Sequence, residues 1–470
     1  MRLAHRLALL VLLLLPALAS TADAGVRVVS ELDFDAYADR AAIGLVVPGA
    51  GPEVTREGAL SALLRGRVEH DLLGGVAHGK PLIELGRPGE PEILVVLPPA
   101  GRSENDRRYP IAVLGFRGLL TSDSTRIDGL VSITDIATGR LRAVASDDPV
   151  RELERLDDRI ERNDTYRLPL TIALVALLLL LALVRPRLAV RALLVALAAN
   201  LWLDPWLALL AGGAALLLPL GFACGAILAA YLLALGLSPE TVALSPFGPS
   251  QSGRFYGVNN LLETMLLVPA LVGAGLLGRA GIVVGALAVV TVGGNRFGAD
   301  GGGLVVLAVA YLVLVLRLRG VRPTPRIAAA VCAGAVALAL AVLAVDALTG
   351  GESHVTRAVG DGPAALAGDL ADRVELSVRR TAESPGATLV VAGALMLLVW
   401  IAVRGPRRPV LDALLVGLAV SLLVNDTPGD VLAVGAAAAL ALVRGGGSAY
   451  ARATTTKGPE PDEHAPATGI

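Results

Sequence analysis

Lysine is almost missing from this chain: Lys80 and Lys457 are the only two, and the other basic residues are arginines, many of them set at the ends of apolar runs. With no basic tract and a net charge of -1, the sequence carries no electrostatic footprint for nucleic acid, which is excluded as a partner. Cysteine is as scarce. Cys224 and Cys332 both fall inside apolar stretches, where a small polarizable side chain packs well and the partners of a redox or metal site are absent. His70 and His78 lack metal-ligand spacing, so no metal is indicated, and no cofactor is legible. Charged residues amount to 18% and aromatic residues to 3%, against 54% hydrophobic residues rich in Ala, Leu and Val. That is the composition of a membrane protein, and the lipid bilayer is its first expected partner.

The order of the chain predicts five parts. Residues 1–24 have Arg2 and Arg6 before an apolar core and end in small residues, the pattern of a secretory signal peptide. Residues 25–149 have ordinary soluble composition. Short β-branched runs at 43–47, 93–97 and 111–114 read as buried strands, and 56–73 places Leu60, Leu63, Leu64 and Val68 near helical spacing, so a small exported α/β domain is expected. Residues 150–167, mostly charged with Leu153, Leu156 and Ile160 three and four apart, read as an amphipathic stalk helix. Residues 168–443 hold the apolar stretches of a multi-pass α-helical membrane domain, and 444–470, without apolar pattern, form a cytoplasmic tail expected to be disordered.

Loop charge bears on the number of spans. The stretch 206–237 is too long for one upright helix and offers a break at Pro219 and Gly221, so it reads as two short spans, for a total of about eleven transmembrane helices. That count puts the arginines of 185–191, 317–326 and 404–408 in cytoplasmic loops, the positive-inside arrangement, and leaves Arg254 and Arg296 in the short outer loops. One span in place of two inverts every later loop. The expected location is the plasma membrane, with residues 25–167 extracytoplasmic and the tail inside. Hairpins near 193–205 and 414–428 resemble one another as repeated units would, although two short matches in Ala/Leu-rich sequence also arise by chance. The loop 346–386, with Leu366, Leu370 and Val374 among charges, is expected to rest on the outer surface. Trp202, Trp206 and Trp400 read as interfacial anchors.

On this topology every polar motif of the membrane half faces outward: Asp204, the stretch 245–263, the loop 293–301 and the turn 425–430. Ionisable side chains at membrane depth are costly and pair or line a cavity. Glu263 lies one or two turns into its span, and Asn259, Asn260 and Glu263 share a helix face. The functional reading is an outer polar cup in which Arg254 and Arg296 clamp a phosphate or carboxylate while Glu263 or Asp300 acts as base. Tyr256, Asn259, Asn260, Asn295, Asn425 and Asp426 complete the candidate ligand-binding set. The bland reading beside it is that Glu263 pairs with Arg254 or Arg296 to fix packing, the glycines make turns, and Asn425-Asp426 is a simple turn. In the soluble domain, Asp123 and Ser124 read more readily as turn residues than as a nucleophile site.

The stretch 115–138, GFRGLLTSDSTRIDGLVSITDIAT, resembles the closing part of the alkaline-phosphatase-like domains found at the start of certain bacterial multi-pass membrane proteins. GRFYGVNN (253–260), GNRFGADGGG (294–303) and VNDTPGD (424–430) resemble signatures of those proteins' membrane halves. The resemblance implies a degenerate phosphatase-like module that binds in preference to hydrolysing, because the exported residues are too few for a complete phosphatase and show no Asp/His metal set. The function expected is binding or processing of an anionic, lipid-linked phosphate or glycan intermediate of the cell envelope, with envelope enzymes as further partners. Whether the chain is an enzyme stays open. A transporter or flippase and a non-catalytic envelope scaffold are the alternatives.

Overall fold

The computed structural model describes residues 25–49, 52–69, 76–78, 92–102, 106–249, 255–322, 324–348, 374–375, 377–379, 381–382 and 384–445. The expected signal peptide, His70, Arg254, most of the 346–386 loop and the tail beyond 445 lie outside them.

The N-terminal domain has nine short strands among the described residues: β1 (Gly25–Val29), β2 (Ala41–Val47), β3 (Arg67–Glu69), β4 (Val76–His78), β5 (Glu92–Val96), β6 (Tyr109–Leu114), β7 (Gly118–Thr121), β8 (Leu130–Ser132) and β9 (Arg142–Val144). The main sheet runs β1, β5, β6, β2, β7, β9, and β3 with β4 forms a separate ribbon. Every residue of β2 is buried. Such a strand needs cover on both faces. On one face Ala42 and Val46 pack with residues of α1 (Arg56–Arg65) and α2 (Ile133–Thr138). On the other, Ala41, Ile43 and Leu45 meet Leu153, Leu156 and Ile160 of α3 (Pro149–Val184). The helix expected over 56–73 stops at Gly66, which adopts a left-handed conformation (φ 59) and turns Val68 into β3.

One edge of β2 is shared. β7 pairs with it at Ala42 and Ile43, and β8 takes over from Leu45, both parallel. Residues 122–129 belong to neither ladder and are looped out of the sheet.

The charged stretch 150–167 and the apolar stretch that follows are one helix of 36 residues, α3, capped by Asp148 and started by Pro149. Its apolar stripe is a wall of the sheet domain, reinforced by an ion pair between Arg108 and Asp157. The stalk is therefore built into the domain it carries.

After α3 come α4 (Pro186–Ala199), α5 (Pro205–Leu217), α6 (Leu220–Leu237), the single turn α7 (Glu240–Ala243), α8 (Asn260–Leu276), α9 (Gly281–Gly293), α10 (Gly301–Leu318), α11 (Pro325–Leu348), α12 (Pro385–Arg404), α13 (Pro409–Val424) and α14 (Pro428–Gly445). Six of the helices, α3, α6, α10, α11, α12 and α14, are long and apolar enough to cross a membrane, and α5, α8, α9 and α13 are shorter apolar helices. The stretch 206–237 is two helices, parted at Leu218 and Pro219. At 13 residues, α5 is about 20 Å long, short of a ~30 Å hydrocarbon core. Leucines face outward on α3, α5 and α12, where Leu180, Leu217 and Leu389 are 57%, 85% and 75% exposed, as lipid-facing residues would be. The centre of the bundle is α8, buried from Leu261 to Ala274.

Contacts between helix ends sort the bundle into two poles. Arg191, in the first turns of α4, donates to the carbonyls of Ala215 (2.7 Å) and Leu218 (3.0 Å) at the end of α5. Arg408, before α13, donates to Leu442 (2.8 Å) and Val443 (3.2 Å) at the end of α14. Arg317, ending α10, pairs with Asp412, starting α13, at 2.6 Å. Ala182, Ala189 and Ala441 pack together at this same pole. The sheet domain sits at the opposite one, where Ala243, Leu244 and Phe255 join its core.

Removing the Leu153 side chain, 1% exposed between sheet and helix, is expected to cost about 2–5 kcal/mol. Leu153→Ala should lower the unfolding midpoint of the detergent-solubilised protein in scanning fluorimetry, while Leu64→Ala, at a site 61% exposed, should change stability by less than about 0.5 kcal/mol. Equal midpoints would contradict the packing of α3 into the sheet domain.

Candidate functional site

Helix α8 begins with Asn259 as N-cap, whose side-chain oxygen accepts from Leu262 N at 2.9 Å while its amide donates to Gly248 O at 2.7 Å. One residue acts as cap and as anchor for the preceding loop. In the first turn, Asn260 reaches across to the α13–α14 turn and donates to Asp426 (2.9 Å) and Thr427 (3.0 Å). Glu263 lies next to it in the fold, 1% exposed. Its Oε2 accepts from Asn425 Nδ2 at 2.7 Å and from Ser421 Oγ at 3.4 Å. Ser377 donates to the Asn425 carbonyl at 3.1 Å. The turn 425–427 is thus also half of a buried hydrogen-bond network, beyond the turn chemistry its sequence advertises.

Asp300 completes the cluster from a third segment. It caps α10, accepting from Gly303 N at 3.1 Å, and is 4% exposed. Gly302 and Gly303 serve close approach. A Cβ on Gly303 would lie 2.8 Å from Glu263 Cγ and 2.9 Å from Asp300 Oδ2, and one on Gly302 would lie 2.7 Å from Asn425 Oδ1. Glycine therefore lets the first turn of α10 press directly on the side chains of α8 and α13. The N-termini of α8, α10 and α14 meet here, since Asn260 bonds the turn that opens α14 and Gly303 in the first turn of α10 lies against Glu263, and each carries the positive end of a helix dipole.

The remaining predicted residues divide. Asn295 is buried and Arg296 exposed on the loop leading to Asp300. Tyr256 is 8% exposed, with its ring under the guanidinium of Arg126 at 3.8 Å. Arg254 lies outside the described residues. Trp202, Trp206 and Trp400 are all exposed. Asp123 is an exposed partner of Arg142 at 2.5 Å. Ser124 donates to Asp135.

Three groups escaped the sequence. Asn200, at the end of α4, donates to Tyr231 (3.1 Å) and Ser245 (2.8 Å) and accepts from Phe247 N (3.0 Å), which pins the 245–249 loop. Arg167 donates to Pro249 O at 2.9 Å and lies within electrostatic reach of Asp430. Arg126 of the sheet domain stacks on Tyr256 and donates to the carbonyls of Asn295 and Arg296. Asn200 and Arg167 each border an apolar run, the place where a sequence reading assigns helix ends and anchors.

In the sheet domain, the looped-out 122–129 segment is tied to Asp135. One carboxyl oxygen of Asp135 accepts from Ser122 (2.9 Å), Ser124 (2.7 Å), Ser132 N (2.7 Å) and Ser132 Oγ (2.8 Å). Burial raises the pKa of this carboxyl despite those four donors. The cluster is a capping box for α2 extended to the loop. Among the described residues, no three His, Cys, Asp or Glu side chains come together to hold a metal ion.

Gly303→Ala forces Glu263 and Asp300 apart and is expected to destabilise the protein by about 1–3 kcal/mol. The control is Gly393→Ala, where a Cβ meets nothing within 4 Å and stability should hold or rise by up to about 1 kcal/mol. Thermal midpoints of the two variants decide it, and equal midpoints would refute the close approach. Compared with family models, curated proteins and solved structures, the chain matches none of them.

Proposed function

We propose that this chain is a plasma-membrane protein of the cell envelope with about eleven spans, and that its cup binds the anionic headgroup of a lipid-linked phosphate or glycan intermediate. The observation that carries the reading is that three helix N-termini, at Asn260, Gly301 and Pro428, meet at one polar cluster holding the buried Glu263 and Asp300. Helix N-termini present amide donors and positive dipole ends to anions. Arg296 lies on the adjoining loop and Arg167 beside Pro249. Arg254 and Arg296 are the clamp, through forked guanidinium donors. Tyr256, Asn259, Asn260, Asn295, Asn425 and Asp426 line the headgroup. Glu263 or Asp300 is the base in a transfer step.

The orientation rests on the arginines. Arg191, Arg317, Arg407 and Arg408 gather at the pole opposite the sheet domain, and the positive-inside rule makes that pole cytoplasmic. The sheet domain is then extracytoplasmic, and a phosphatase-like ancestry fits a module that now serves the cup. A transporter has less support. Among the described residues, the buried amide and carboxyl side chains of α3 and the bundle (Asn163, Asn200, Glu263, Asn295, Asp300 and Asn425) lie toward the domain pole, and no such group continues the path toward the arginine pole.

Two measurements test these statements separately. Native mass spectrometry of the purified protein is expected to find a phosphate-bearing lipid that Arg254→Ala loses; an unchanged lipid profile would sink the clamp, and a scaffold would be the better reading. A single cysteine at position 250 in a Cys-free background is expected to react with a membrane-impermeant maleimide added from outside, and labelling only from the cytoplasmic side would overturn the orientation.

A further inference from the structure

Arg126 and Ala299 are the two described residues other than glycine that hold a left-handed backbone (φ 56 and φ 50). Arg126 belongs to the sheet domain, and Ala299 to the 293–301 loop that Arg126 contacts. The Arg126 guanidinium leaves the sheet domain and donates to Asn295 O (3.0 Å) and Arg296 O (3.2 Å) while stacking on Tyr256. A conformation costing about 1–2 kcal/mol per residue persists where its surroundings impose it.

Those surroundings are specific. The sheet register ejects 122–129 from the ladder. Ser122 and Ser124 fasten the loop to Asp135, Thr125 donates to Leu130 O at 2.5 Å, and Arg126 N bonds Ser122 O at 3.0 Å. The serine and threonine cluster thus serves to present one arginine. On the membrane side, the receiving loop is tightly folded: Phe297 N and Ala299 N both donate to Gly294 O at 2.9 Å, Val258 N to Gly298 O at 2.9 Å, and Asp300 N to Val292 O at 3.0 Å. A Cβ on Gly257 would meet Gly298 O at 2.0 Å, so the 255–258 segment lies flush against this loop. The loop ends at Asp300, which packs with Glu263 across Gly303.

We propose that Arg126 is a positioning residue of the cup: by gripping the backbone of 295–296 and the ring of Tyr256, the N-terminal domain fixes the loop that sets Asp300 against Glu263. The N-terminal domain is then a structural part of the site, and the cup of the membrane half is incomplete without it. The positioning role stands on the contacts alone; its consequence for a phosphate headgroup rests on the function proposed above.

Hydrogen exchange on the full-length protein in phosphatidylcholine nanodiscs tests it, with and without an added polyprenyl phosphate. Arg126→Ala is expected to speed exchange of the 297–300 amides by about tenfold or more while amides in the middle of α8 keep their protection, which shows the fold intact. Arg126→Lys, which retains a cation over Tyr256 and a single donor, should fall between. Unchanged exchange at 297–300 in Arg126→Ala overturns the positioning role. Polyprenyl phosphate should protect these amides in the wild type and fail to do so in Arg126→Ala. Protection kept in the variant despite faster basal exchange overturns the claim that the N-terminal domain completes the cup. No protection in the wild type counts against the headgroup reading alone and leaves the basal comparison to decide the role of Arg126.

Discussion

A carboxyl group placed among apolar helices costs about 2.5 to 3.5 kcal/mol on insertion scales unless donors meet it, and Glu263 is the group around which this bundle is arranged. Two other segments surround it. Asn425 and Ser421 come from the end of α13, and the first turn of α10 is brought close by two glycines that leave no side chain in the way. The central helix α8 is buried nearly throughout, so Glu263 has no route to solvent along its own helix. Its neighbours must therefore carry the polar groups. The same demand explains why Asn260, Asp426 and Thr427 form a second bridge between the same two helix ends.

The sheet domain depends on the bundle for a related reason. A central strand buried on both faces cannot fold with one layer of helices, and β2 is covered on its second face by α3, the 243–244 turn and Phe255. Domain and bundle share one hydrophobic core there, and α3 belongs to both. Against that fixed backdrop the Arg126 contact has a defined geometry, since neither of its sides is a free loop. The domain's most conspicuous polar cluster, around Asp135, is spent on holding that arginine's loop.

At the other pole the arginines have two roles at once. Arg191 and Arg408 lie beside apolar helix ends, as a charge rule for membrane topology describes, and each also satisfies the unpaired carbonyls at the C-terminus of a neighbouring helix. Cationic groups at C-termini complement the negative end of the helix dipole. The charge asymmetry between the poles is thus also a set of capping interactions that hold antiparallel helices in register.

The sequence by itself determined the helical, apolar character of the second part of the chain, the positions of the apolar helices, the break near Pro219 and the strands at 43–47, 93–97 and 111–114, because periodicity, run length and proline act locally. It also marked Glu263, Asp300, Asn260, Asn425 and Asp426, since a polar group at the edge of an apolar run stands out against its neighbours. Which of these meet was decided only by tertiary structure: Glu263 and Asn425 are 162 residues apart, and nothing local to either specifies the other. The use of Gly302 and Gly303 for close helix approach, the second role of α3 as a wall of the sheet domain, and the grip of Arg126 on a loop 170 residues away belong to the same class. Each is a contact between distant segments whose residues, read alone, have an adequate local explanation as a turn, a stalk or a surface charge.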